Sequence, residues 1–136
     1  MFNAKVYTVM IPSSGVALEE EHIAREVIAR WNIEEGEKHR VVFLTIPNNY
    51  RGITPDICIF AIGNFVDKTK VEAAIATGTK VLLFFRKYRD EESTISSELQ
   101  AIQELRASTT ATCIDYNGPS EFNESLNKMI KSFSNQ

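Results

Sequence analysis

Cysteine, histidine and tryptophan are scarce in this chain of 136 residues: two, two and one. So few thiols exclude a disulfide-stapled scaffold, and a chain this long buries an adequate core without one. Cys58 and Cys113 each sit in an apolar, β-like run, where a thiol acts as a small buried hydrophobe. Metal ligands are equally sparse. His22 and Glu26 lie four apart on a helical pattern, but no third ligand follows at a recognisable spacing, and His39 between Lys38 and Arg40 reads as loop. No metal is implied. Cations are outnumbered, 15 against 18 acids, for a net charge of -3, which argues against a nucleic-acid surface. The densest basic stretch, Arg86-Lys87-Tyr88-Arg89, is cancelled by Asp90-Glu91-Glu92 and reads as a solvated loop. No apolar run is long enough to span a membrane, and the first residues lack the pattern of a signal peptide, so a cytoplasmic location is expected.

What the chain does have is alternation. Apolar runs at Lys5 to Ile11, Arg40 to Ile46, Asp56 to Ile62, Lys80 to Phe85 and Thr110 to Tyr116 are nearly continuous in Val, Ile, Leu and Phe. Such runs suit strands covered on both faces. Helical spacing separates most of them: Ile23, Val27 and Trp31 recur every four residues behind Glu19, Glu20 and Glu21, where a helix dipole favours acids. Ile95, Leu99, Ile102 and Leu105 form a second stripe. Phe122, Leu126, Met129, Ile130 and Phe133 form a third, opened by Pro119 and Ser120.

No repeat or linker divides the chain, so residues 1–136 are read as a single domain. Strand-helix alternation predicts an α/β fold of three layers, with a five-stranded parallel sheet in the flavodoxin-like order 2-1-3-4-5. One crossover is defective. Pro47 to Pro55, between the second and third strands, is too short and too rich in Pro, Asn and Gly for a helix.

In an open sheet of that order, ligands bind beyond the carboxyl ends of the first and third strands. The loops that meet there are Pro12-Ser13-Ser14-Gly15 and Gly63 to Thr69. Ser13, Ser14 and Gly15 offer hydroxyls and close backbone approach suited to a phosphate or ribose; Ser13 and Ser14 also suit a simple helix cap. In the second loop Asn64 and Thr69 add polar groups. Phe65 either stacks on a base or packs over the loop, and Asp67 either accepts ribose hydroxyls or stabilises the turn. Asp56 is read as structural. Glu72 is expected in the first turn of the next helix, facing the same crevice. A carboxylate there suits stabilising or attacking a sugar carbon whose bond to a base is breaking. The same position also suits a solvated, dipole-complementing residue. Walker A, G-x-G-x-x-G and G-x-S-x-G patterns are absent. So are the acid pair of a response-regulator receiver and the long phosphate cradle of a flavodoxin.

The stretch "KVYTVMIPSSGVALEEEHIAREVI" resembles the opening of the TIR-like DUF4062 group. "PDICIFAIGNFVDKTKVEAAIATGTKVLLFF" is similar to the later part of that group and of the nucleoside 2-deoxyribosyltransferases, where T-x-x-E follows an Asp-initiated strand; Thr69 and Glu72 supply it here. The tail "SSELQAIQELRASTTATCIDYNGPSEFNESLNKMI" looks like the group's closing helix-strand-helix. Three departures stand out: Lys68 replaces the transferases' Gly, the helix after Glu72 reaches Gly78 sooner than theirs, and the second crossover is cut short. The resemblance implies a nucleotide- or nucleoside-binding protein that cleaves an N-glycosidic bond through Glu72, as TIR NAD hydrolases and deoxyribosyltransferases do. NAD or a nucleoside would be substrate rather than cofactor. Its alternative is a non-catalytic signalling or scaffold module that self-associates as a homo-oligomer or recognises a nucleotide signal.

Overall fold

A computed structural model describes residues 3–12, 18–47, 53–63, 66–87 and 96–135. In chain order the elements are β1 (Lys5–Met10), α1 (Leu18–Glu34), α2 (Gly36–His39), β2 (Val41–Ile46) and β3 (Ile57–Ile62). They continue as α3 (Lys68–Ala76), β4 (Lys80–Arg86), α4 (Ser96–Ser108), β5 (Thr112–Tyr116) and α5 (Pro119–Ser134). All strand pairs are parallel and the order is β2-β1-β3-β4-β5. This is the expected doubly wound sheet. Helices cover both of its sides.

Alternation along each strand sorts the core into two clusters. Val9, Phe43, Ile57, Ile59, Leu82 and Phe84 face α1 and α5, while Cys58, Phe60, Ile62, Val81, Leu83 and Phe85 face α3 and α4. The first side is aromatic: Phe122 of α5 meets Phe84 edge-on at 4.8 Å and Tyr116 at 5.2 Å between ring centroids.

The crossover from β2 to β3 contributes no helix among the described residues. On the α3 side of the sheet, β1 and β2 are only partly covered by the described residues. Val6 and Leu44 remain 50% and 52% exposed there, although β1 and β2 are paired along their whole length from Lys5↔Val41 to Met10↔Ile46.

The β1–β3 ladder is short, Val9↔Ile57 and Met10↔Cys58 only. Below it a side chain continues the pairing. Thr8 N–H donates to Asp56 Oδ2 at 2.9 Å, and Asp56 N–H donates to the Thr8 carbonyl at 3.0 Å and to Thr8 Oγ1 at 3.0 Å. The structural reading of Asp56 fits that geometry.

Two sequence expectations need correction. Arg40 does not open β2. It terminates α2 in the left-handed region, φ 57° and ψ 43°. His39 is not loop but the last residue of that short helix, its ring stacked on Trp31 at 5.7 Å.

Edge strand β2 carries a plug. Asn32 Nδ2 donates to the Phe43 carbonyl at 2.9 Å, and Phe43 N–H donates to Asn32 Oδ1 at 2.9 Å. One carboxamide thus imitates a neighbouring strand and blocks sheet extension at that step.

Candidate functional site

A groove of about 430 Å³ opens between α3 and the β1–β3 surface, where the described residues between β2 and β3 form no helix. Its sheet wall is Met10, Pro12, Cys58 and Phe60, and its helix wall is Lys70, Ala73, Ala74 and Thr77. These four helix positions follow the i, i+3, i+4, i+7 spacing of one face. The residue that fixes that phase is Val71, fully buried against the sheet beside them.

The lower end of the groove is polar and built from hydroxyls. Thr79 Oγ1 donates to the Pro55 carbonyl at 3.0 Å, Thr77 Oγ1 donates to the Ala74 carbonyl at 2.8 Å, and the two hydroxyl oxygens lie 3.1 Å apart. Two protons serve three short contacts, so one contact is always without a hydrogen. Gly78, at φ 83°, makes the turn between them, a conformation that a side chain rarely adopts. Lys70 supplies the charge of the lining. Cys58 is inert here: burial pushes its thiol up to about 12.

Glu72 lies in the second turn of α3, not the first, because the helix begins at Lys68. Its carboxylate is 3.8 Å from Lys68 Nζ, an i,i+4 pair, and its side chain is 61% exposed. It therefore projects from the opposite flank of α3 to the groove-lining residues and does not enter this groove, while the loops of the crevice it was expected to face fall in part outside the described residues. Asp67 caps α3, its Oδ1 accepting the Lys70 N–H at 3.2 Å, and Thr69 is exposed. Neither Asp67 nor Thr69 lines the groove. Ser13, Ser14, Gly15, Asn64 and Phe65 lie outside the described residues.

Residues that sequence reasoning passed over take their place. Glu20 and Glu21, in the first turn of α1 at the carboxyl end of β1, are 3% and 8% exposed, the only charged side chains buried among the described residues. An acidic first turn reads as solvated, and nothing in their spacing distinguishes them from exposed Glu19. Arg86 was read as part of a solvated loop, yet it ends β4, and its Nε is buried without a hydrogen-bond partner among the described residues. Among those residues, no three His, Cys, Asp or Glu side chains come together to hold a metal, and no helix is long and apolar enough to cross a membrane.

The fold and groove together define an open, doubly wound α/β protein with a concave site on one face of its sheet. No family model matches the chain, and no curated protein matches it. Among solved structures it is similar to a short-chain flavodoxin associated with a non-canonical PDU bacterial microcompartment. That similarity is 11% identity and a TM-score of 0.48, over 96% of this chain and 99% of the other. Identity at that level says nothing about a shared ligand.

Proposed function

We propose that this protein binds a small nucleotide or nucleoside in the groove between α3 and the β1–β3 surface, as a recognition module without turnover. The observation that carries the reading is the groove itself. At about 430 Å³ it falls in the size range of small-molecule sites, with an apolar wall of Met10, Phe60, Ala73 and Ala74 and a few convergent polar groups. Phe60 and Met10 offer a base-sized apolar contact, the Thr77 and Thr79 hydroxyls suit sugar oxygens, and Lys70 suits a phosphate. The resemblance of residues 55–85 to the TIR-like group and the deoxyribosyltransferases supports the same ligand class.

The cleavage reading requires a carboxylate beside the anomeric carbon. Glu72 is a poor candidate for it, being exposed and engaged with Lys68 on the far flank of α3. The non-catalytic alternative is the one this geometry favours.

Calorimetric titration with adenosine, AMP, NAD and 2′-deoxyadenosine, paired with chromatography for released base, tests both halves. Saturable heat from at least one of them, equal in wild type and Glu72→Gln, with no free base, is the expected result. Absence of heat throughout would discard the binding reading. Base released by the wild type and not by Glu72→Gln would restore Glu72 as the catalytic carboxylate.

A further inference from the structure

On the opposite side of the sheet from the groove, a second cavity of about 390 Å³ lies where α1, α2 and α5 converge. Each helix brings one permanent cation to it: Arg30 from α1, Lys38 from α2 and Lys131 from α5. Among the described residues none of the three is held in an ion pair. Three free cations meeting in one hollow are notable in a chain whose net charge is -3.

The wall behind them is preorganised. Trp31 is 7% exposed, and the His39 ring stacks on it with its plane tilted by 25°. His39 Nε2 lies 3.2 Å from Glu35 Oε2, so this carboxylate is turned toward the imidazole rather than left facing the cavity alone. Asn127 adds an amide, and Glu34 is the remaining acid on the rim.

We propose that this cavity is a binding site for a phosphate monoester, its phosphate held by Arg30, Lys38 and Lys131. A tetrahedral phosphate dianion offers three terminal oxygens, pointing in different directions, to donors arriving from three helices, and carries up to twice the charge of a planar carboxylate with its two oxygens. The site is independent of the groove and takes a ligand by charge rather than by apolar contact. Glu34 opposes the phosphate and sets a ceiling on affinity.

Trp31 is the only tryptophan, so its emission reports this cavity alone. The experiment titrates the intact protein with inorganic phosphate and with glycerol phosphate, against sodium chloride at matched ionic strength. Expected is a saturating emission change with the phosphates only. Affinity falls roughly tenfold or more in Lys38→Gln and Lys131→Gln, the loss of one charge-assisted hydrogen bond apiece. Glu34→Gln, in contrast, binds more tightly than wild type. These are exposed positions, so folding is retained in each variant. A response that follows ionic strength alike for chloride and phosphate would overturn the proposal, as would saturation unaltered in both lysine variants.

Discussion

The two sides of the sheet are packed differently. Toward α1 and α5 every strand contributes, and the interior is filled by Phe43, Phe84, Tyr116, Phe122 and Trp31. Toward α3 and α4 the cover is thinner, with Val71, Ile102 and Leu105 as the buried hydrophobic helix side chains among the described residues. Over β1 and β2, Val6 and Leu44 are left half exposed. Burial of large aromatics is the chief source of stability in such a layer, while a more thinly covered layer retains space that a ligand can enter. The denser aromatic packing and the open groove thus lie on opposite surfaces of one sheet.

The sharpest contrast between those surfaces is mutational. Phe122→Ala removes a fully buried ring in contact with Phe84 and Tyr116, and should cost about 3–5 kcal/mol in urea unfolding. Leu44→Ser, on the bare side, should change stability by no more than about 0.5 kcal/mol. Comparable losses from the two would erase the distinction. A smaller effect belongs to the sheet edge. Asn32→Leu leaves the Phe43 N–H and carbonyl without their side-chain partner, and should cost about 1–3 kcal/mol. It also frees one step of the β2 edge for pairing, so light scattering should detect concentration-dependent association that the wild type lacks.

Alkaline stability probes the thin side without altering its shape. Burial raises the Cys58 thiol from 9.0 in the unfolded chain to about 12. Above pH 9 the unfolded chain releases this proton while the folded chain keeps it, so the contribution present below pH 9 is lost as pH rises toward 12. The loss is at most about 1.4 kcal/mol per pH unit. Cys58→Ala should flatten the decline between pH 9 and 10.5 relative to wild type, read from urea midpoints. Identical declines would show that the thiol is hydrated in the folded state.

Much of the architecture was legible because the strands are covered on both faces. Uninterrupted runs such as Ile57–Ile62 announce themselves, and in the Pro- and Gly-rich stretch before Asp56 the described residues form no helix, as its composition predicts. Helix α2 was hidden by its brevity and by Gly36, which breaks the apolar periodicity that identifies longer helices. The site was harder to read for a geometric reason. Each residue advances a helix by about 100°, so a start at Lys68 and the docking of Val71 together decide which side chains look at the sheet. Sequence located Glu72 on α3 but not its azimuth. It gave no means of separating buried Glu20 and Glu21 from exposed Glu19, because that depends on how α1 enters the sheet.

That azimuth offers the most direct test of the account. Ala73→Phe inserts a ring into the groove from an exposed helix position, so it blocks the ligand without disturbing the core. For whichever nucleotide or nucleoside binds the wild type, calorimetry should show binding abolished in Ala73→Phe and retained in Glu72→Gln, with both variants folded by circular dichroism. Full binding by Ala73→Phe together with loss in Glu72→Gln would move the site to the other flank of α3 and contradict the account.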